Sequence, residues 1–425
     1  MSSVLTSPPR PATPDDAALP HLEILLDAER LGDLLGLATP LRITYVRYKP
    51  GWSCLARYET IESRPHTGYA KVFSQAPHDS AKRSPGWEYH PDLHIGVARF
   101  PFDRKIPALS LAFDRDRGEA ALEAFIDESK RDRYRADWGQ LDVLRYKPER
   151  RCVLAGSYRR PGEPAARRFF ARFYASGEGE FSAQWYWDLH RACRELGGGV
   201  DVPRPLGKRA KHRLLILKDS GGESLENRLS ADSAGEAVSA AAQALAKFHR
   251  LPAPANTPLA ETGLAARRSV EAIEGLLGNG AGGAAALANR LSETPPATVQ
   301  TLVHGDFYHD QVTLRPDGRV HLLDVDELAI GNPIADVANF CAHLDVLALN
   351  AEILPERARV LQAAFLGSYE AEAAIKLGKE SFPRLHAEAL LTLAVKPFRE
   401  FQSNWPDRME QILDRAWRAW SEPLC

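Results

Sequence analysis

The chain has 425 residues, a length that suggests two or three domains or lobes at about 150 residues each. Its 44% hydrophobic and 26% charged residues are those of a folded globular protein, which excludes a wholly disordered chain, a collagen-like fibre and a small disulfide scaffold. The 54 basic and 56 acidic residues nearly cancel, so nothing favours general binding to nucleic acid or to a membrane surface. No apolar run approaches the roughly 20 residues of a membrane helix.

In chain order, residues 1–20 (MSSVLTSPPRPATPDDAALP) lack a basic stretch followed by an apolar one. They read as a disordered lead rather than a secretory signal, with a cytoplasmic location expected. The five cysteines are scattered without a CxxC pair, which predicts reduced thiols and no structural zinc. An internal repeat follows. Residues 43–58 read ITYVRYKPGWSCLARY and residues 141–158 read LDVLRYKPERRCVLAGSY; Arg47 and Arg145 are 98 apart, as are Cys54 and Cys152. Each copy continues into another apolar strand, GYAKVFSQ at 68–75 and RFFARFYAS at 168–176. Both copies therefore predict strand, Lys-Pro turn, strand, hairpin, strand, and duplication explains them better than chance.

Residues 100–114 read as an extended, proline-punctuated segment, and 115–138 have helical composition. An amphipathic helix is predicted over 179–196, with Phe181, Trp185, Leu189 and Cys193 on one face and the aromatic run Trp185-Tyr186-Trp187 read as packing. A strand at 213–217 leads into the Gly221-Gly222 turn, and from about Ser233 helices dominate. Strands early and helices late predict an α+β arrangement of lobes.

The most informative stretch is 301–340, TLVHGDFYHDQVTLRPDGRVHLLDVDELAIGNPIADVANF. His304-Gly305-Asp306 precedes a polar loop. Val312–Leu314, a Pro-Asp-Gly turn and Val320–Leu323 form a hairpin ending at Asp324. Carboxylates at the ends of hairpin-linked elements can face one cleft. Phosphoryl transfer needs that, one to orient and deprotonate an acceptor hydroxyl and one to hold Mg2+ on the phosphates. Asp326 and Glu327 read as a solvated loop.

This stretch resembles the catalytic block of the aminoglycoside phosphotransferase and choline kinase group, which has the protein-kinase-like two-lobed fold. The matching residues are His304-Gly305-Asp306, Asp324, Gly331-Asn332-Pro333 and Asp336. The resemblance implies Asp306 as catalytic base and His304 as a brace of the backbone. It implies Asp324 as the Mg2+ ligand, Gln311 in the slot where the family has asparagine, and Asp336 as a structural acceptor. It makes residues 213–229 the hinge, with Leu217, Lys218 and Asp219 meeting the adenine of ATP. The phosphate-anchoring lysine slot of the family holds Arg172 in the second repeat, while the first repeat has Lys71. Glu178 or Glu180 would pair with Arg172, and the turn Lys147–Arg151 would cover the phosphates.

The expected organisation is a lead (1–20), a cap resembling a degenerate kinase N-lobe (21–138), an N-lobe with hinge (139–222) and a helical C-lobe with the catalytic loop (223–425). The expected function is an ATP- and Mg2+-dependent phosphotransferase that moves the γ-phosphate to a hydroxyl of a small molecule. Lys71 is expected to be structural. The alternative is a pseudokinase that binds nucleotide or a partner without turnover. A metal-hydrolase cluster of His304, Asp306, His309 and Asp310 leaves Asp324 and Asp336 unexplained.

Overall fold

The computed structural model describes residues 12–76, 84–114, 135–159, 164–175, 183–261, 263–278, 282–292, 299–378 and 381–421. The repeat in the sequence is a repeat of a whole sheet. β1 (Leu41–Lys49), β2 (Ser53–Thr60), β3 (Thr67–Phe73), β4 (Trp87–His90) and β5 (Ile95–Arg99) form one antiparallel sheet in the order β1-β2-β3-β5-β4. The second sheet contains β6 (Arg135–Lys147), β7 (Arg151–Arg159) and β8 (Arg167–Tyr174). After the short β9 (Val200–Asp201), it is completed by β10 (Pro205–Arg209) and β11 (Leu214–Lys218), in the order β6-β7-β8-β11-β10. Matching β4 with β10 and β5 with β11 makes the two orders the same. Registers agree as well: Leu55 lies opposite Lys71, and its counterpart Val153 lies opposite Arg172.

In both copies the Lys-Pro turn is closed by a backbone bond, Trp52 N–H to Lys49 O and Arg150 N–H to Lys147 O. The residue after proline is left-handed in each, Gly51 at φ 71° and Glu149 at φ 57°. Glycine reaches that region freely, whereas an L-residue such as glutamate pays about 1–2 kcal/mol.

Around the sheets lie α1 (Leu22–Leu26), α2 (Ala28–Leu34), α3 (Ala108–Ala112) and α4 (Ala183–Glu195). The second half contains α5 (Leu225–Arg228), α6 (Ala234–Phe248), α7 (Leu264–Leu277) and α8 (Gly282–Ser292). The chain ends with α9 (Ile334–Leu349), α10 (Pro355–Ala373), α11 (Ser381–Leu393), α12 (Lys396–Arg399) and α13 (Trp405–Ser421). Between α8 and α9 run β13 (Thr301–Val303), β14 (Val312–Leu314), β15 (Val320–Leu322) and β16 (Ala329–Gly331); β12 (Glu223–Ser224) pairs with β14. The result is the protein-kinase-like α+β fold, a β-rich N-lobe and a helical C-lobe, preceded by a second N-lobe-like sheet.

Side-chain alternation on β8 sets the stacking. Phe169, Ala171 and Phe173 enter a buried layer with Leu55, Tyr69, Trp87 and Ala98 of the first sheet. Fully burying a phenylalanine stabilises by about 1.5–3 kcal/mol. Arg172 and Tyr174, on the opposite face of β8, point at the C-lobe carboxylates. Lys71 shares a face of β3 with Tyr69, so the lysine face of the first sheet is the one covered by the back of the second. The other face of the first sheet, including Val46, Ala56, Val72 and Ile95, packs on α1, α2 and C-lobe residues such as Ile273, Val346, Leu390, Trp405 and Ile412.

Three expectations change. Residues 135–138 are not helical, because pairing of Arg135 with Arg159 extends β6 upstream; 115–134 lie outside the described residues. The segment 100–114 contains α3, whose Leu109 and Ala112 fill the layer between the sheets. Residues 12–20 are docked rather than loose. Leu19 is buried, and the Asp16 carboxylate accepts from the Tyr48 hydroxyl (2.7 Å) and the Gly51 N–H (2.8 Å).

Candidate active site

The His304-Gly305-Asp306 loop follows β13 and is held by one buried carboxylate. Asp336 sits in the first turn of α9, a helix started by Pro333 and by the Asn332 side chain accepting from Ile334 N–H. Asp336 Oδ2 accepts from His304 N–H (2.7 Å) and Oδ1 from Gly305 N–H (2.9 Å). His249, just past α6, lies with Nε2 2.9 Å from Asp336 Oδ2 and Nδ1 2.8 Å from the Tyr369 hydroxyl. Against the penalty of burial, His249 and then His304 hold the Asp336 carboxyl below its ordinary value. Gly305 is left-handed at φ 83°, and a Cβ there would overlap the Glu327 carbonyl, so only glycine fits. The His304 ring donates from Nε2 to Leu323 O (2.7 Å), while Nδ1 faces Asp306 N–H (3.4 Å). With both nitrogens engaged in the loop, His304 does not converge with His309 on a common ion.

Asp336→Asn keeps one acceptor oxygen and turns an amide N–H2 toward donors. We expect a loss of about 1–3 kcal/mol of stability at pH 7, the range for leaving buried polar groups unsatisfied. Because the folded-state pKa is depressed, the contribution of Asp336 is present above its unfolded value of about 3.9 and disappears as pH falls through the folded value. Denaturant melts at pH 7 and near pH 3 should therefore show the gap between wild type and variant shrinking in acid; a constant gap would contradict the assignment.

Asp324 follows β15 in the left-handed region, φ 57°. Leu323 N–H donates to Gln311 O (2.8 Å), which sets Asp324 beside buried Gln311. Two arginines reach Asp324 from the second sheet. Arg172 Nη2 lies 2.6 Å from Oδ1, and Arg151 lies 3.2 Å from Oδ1 and 3.1 Å from Oδ2. Both also bind Asp326 Oδ2, at 2.9 and 3.2 Å, and the Tyr174 hydroxyl donates to Asp326 Oδ1 (3.0 Å). Asp326 is thus a half-buried partner of the quartet, which corrects the solvated-loop reading; Glu327 is exposed. Against burial, Arg172 and then Arg151 hold Asp324 well below the carboxylate range. Two guanidinium and two carboxylate groups balance in charge, as a buried cluster requires.

Asp306 stands close enough to Asp324 to feel its charge. Burial and then Asp324 push the Asp306 carboxyl above its ordinary value. Lys147 also feels the Asp306 charge; it is brought down to about 7 by burial and by Arg145, Arg151 and Arg150, with Asp306 opposing. The Lys147–Arg151 turn thus presents cations to the acidic cluster. Its Glu149 points the other way, into the first sheet. The carboxylate is fully buried, at 2.6 Å from Lys71, 3.2 Å from Arg47 and 2.9 Å from Arg104. Glu149 N–H donates to Asp103 Oδ2 (2.8 Å), which also accepts from Tyr146 (2.9 Å). Lys71, the cap counterpart of Arg172, is an anchor for this turn.

At the hinge, Lys218 N–H donates to Arg204 O (2.8 Å) and Asp219 N–H to Arg168 O (3.2 Å), so these two donors are engaged within the second sheet; Leu217 pairs with Phe170. Glu178 and Glu180 lie outside the described residues. The α4 side chain that meets Arg172 is Tyr186, its hydroxyl 2.5 Å from Nη1. Sequence reasoning missed this role of Tyr186, and those of Asp326, Arg151 and Glu149. The signals were a tyrosine amid tryptophans on the helix after β8, an Asp two residues past Asp324, and a glutamate where the first repeat has glycine.

Residues 157–375, just over half of the chain, match the family described as phosphotransferase enzyme family. The chain belongs to this family. No curated protein matches the chain. Among solved structures, it is similar to an amicoumacin kinase in complex with AMP-PNP, Ca2+ and Ami, with 14% identity, 70% of this chain and 96% of that chain covered, and a TM-score of 0.49. It is similar to an aminoglycoside-3'-phosphotransferase of type VIII (21% identity, 59% and 93% covered, TM-score 0.43). A choline kinase from Streptococcus pneumoniae is a further neighbour (13% identity, 66% and 93% covered, TM-score 0.42). The family segment begins within β7 and contains Arg172, the hinge, Asp306, Gln311, Asp324 and Asp336; the cap sheet precedes it. Among the described residues of this phosphotransferase family member, no helix is long and apolar enough to cross a membrane.

Proposed function

We propose that the protein moves the γ-phosphoryl group of ATP to a hydroxyl of a small molecule. The observation that supports this most is Asp306, held in a loop bound by Asp336 and within reach of the charges of Asp324, Arg151 and Lys147. In the reaction the acceptor oxygen bonds to the γ-phosphorus and the bridging P–O bond breaks. ADP leaves with that electron pair, and the acceptor proton passes to Asp306. A carboxyl above its ordinary pKa suits a general base, because its proton affinity lies closer to the working pH. Arg172 would grip the α/β-phosphates with its fork, and Leu217, Lys218 and Asp219 would border the adenine.

The donor chemistry fits a magnesium ion. Asp324 and Gln311 lie on paired strand ends and offer the hard oxygens that Mg2+ takes, and Asp324 Oδ2 has one guanidinium partner among the described residues. Asp324 and Gln311 would hold the ion, which when bound supplies charge neutralisation for the phosphates. The acceptor pocket would lie between Asp306 and the C-terminal helices. His304 positions the backbone beneath Asp306.

A second reading is a pseudokinase that binds nucleotide or a partner without turnover. The engagement of both Asp324 oxygens by Arg172 and Arg151 favours it. Thermal shift with ATP, with and without Mg2+, separates the readings when followed by ATP consumption over sugars, amino alcohols and aminoglycosides. Mg2+-dependent binding with acceptor-dependent ADP release supports the transferase, and binding without turnover supports the pseudokinase. Absence of any Mg2+-dependent nucleotide shift overturns the transferase proposal. In the active case Arg172→Ala should lower kcat by roughly 10²–10³, as loss of a charge-stabilising donor does. With Arg172→Lys as a folding control, a change below about threefold, far under that range, would remove Arg172 from the phosphate site.

A further inference from the structure

In the loop that follows Asp306, a one-turn 3-10 helix spans His309–Gln311 and packs beside α5. There Glu226, His309 and Asp310 each offer a ligand atom, all within 4.8 Å of one another. His309 is 4% exposed, and its Nδ1 is buried without a hydrogen-bond partner. Its Nε2 lies 3.4 Å from Asp310 Oδ1, an oxygen that is itself buried without a hydrogen-bond partner. That separation is long for a hydrogen bond, which is usually about 2.9–3.0 Å. It matches the edge of a tetrahedron whose corners stand about 2.0–2.1 Å from a central zinc ion, roughly 3.4 Å. The Glu226 and Asp310 carboxylates are two like charges brought close together, which a cation between them would relieve.

We propose that Glu226, His309 and Asp310 bind a divalent transition-metal ion of the zinc class. One imidazole and two carboxylates form a mixed N/O set that suits zinc, whereas magnesium takes oxygen ligands alone. Lys396 and Glu352 lie further out, of opposite sign, and His343 stands ring to ring with His309 at 5.8 Å. Glu226 is exposed, which leaves the fourth position of the ion to water. The ion would staple α5, the first helix after the hinge, to the loop that carries Asp306. The site shares no ligand with the Asp324 and Gln311 pair, and its chemistry does not depend on phosphoryl transfer.

The test uses the full-length protein, stripped with chelator and titrated with Zn2+ against a zinc-responsive dye, with bound metal counted by mass spectrometry. One equivalent per chain is expected. Glu226→Gln, at an exposed position that leaves the fold intact, and His309→Ala should each weaken binding by at least about tenfold, the lower end of what loss of even an outer partner costs a metal site. Asp324→Asn should leave Zn2+ binding unchanged. Substoichiometric zinc in the wild type, or equal affinity in Glu226→Gln and wild type, would overturn the proposal. The described cysteines are buried and do not compete for the ion.

Discussion

Asp306→Asn is expected to lower kcat for phosphoryl transfer by roughly 10²–10⁴, the usual contribution of a positioned general base, while Mg2+-dependent nucleotide binding survives. The amide is nearly isosteric, so the loop held by Asp336 stays in place and only proton acceptance is lost. Two further readouts separate this role from a structural one. Because burial and Asp324 raise the Asp306 pKa, the acid limb of the wild-type kcat/KM profile should fall above the ordinary carboxylate value of about 3.9. The raised pKa also means that the ionised group opposes folding at neutral pH, an effect relieved as pH drops through the folded value. Asp306→Asn should therefore melt higher than wild type at pH 7. A variant that retains turnover, or that loses stability together with activity, would exclude Asp306 as the base.

Glu149→Ala should destabilise the protein by about 3–5 kcal/mol, the range for removing one member of a buried ion cluster. The substitution leaves Lys71, Arg47 and Arg104 facing one another with no anion between them. Against burial, Lys71 and then Arg104 hold the Glu149 carboxyl below its ordinary value. Its contribution is accordingly present above the unfolded pKa of about 4.3 and is lost as pH falls through the folded one. Denaturant unfolding of Glu149→Ala, Lys71→Met and the double variant measures the coupling directly. The double variant should recover part of the loss, because an apolar replacement of a buried pair is close to neutral. If Glu149→Ala changes stability by less than about 0.5 kcal/mol, as surface substitutions do, the turn is not anchored through this contact.

Motifs whose members are close in sequence were legible. His304-Gly305-Asp306, Asp324 and Asp336 fall within one stretch, and their order predicted which of them the structure brings to one loop. The repeat was legible too, down to the matching places of Lys71 and Arg172. What escaped was pairing across long stretches of chain. Asp326 meets Arg172 from 154 residues away, and nothing local marks it as paired. Glu149 meets Lys71 across 78 residues, and only its replacement of a glycine hinted at strain. Residues 12–20 looked unstructured because proline and small residues set their composition. Their order comes from Tyr48 and the Trp405 indole, which donates to Ala12 O. Helical composition at 135–138 lost to strand pairing, since a ladder partner outweighs weak intrinsic preference.

The back-to-front stacking of the two sheets bears on how substrates come and go. A two-lobed enzyme ordinarily admits nucleotide by swinging its lobes about the hinge. Here one face of the first sheet is fused to the N-lobe through Phe169, Ala171 and Phe173, and the other to the C-lobe through residues such as Val346, Leu390 and Ile412. The hinge and the first sheet form two parallel links between the same lobes, so the molecule is a closed loop of rigid bodies rather than a clam. Opening it by rotation would shear an apolar layer on one side or the other. Breathing is therefore confined to short surface segments around the cleft. The repeated sheet thus acts as a strut that fixes the width of the cleft between the lobes.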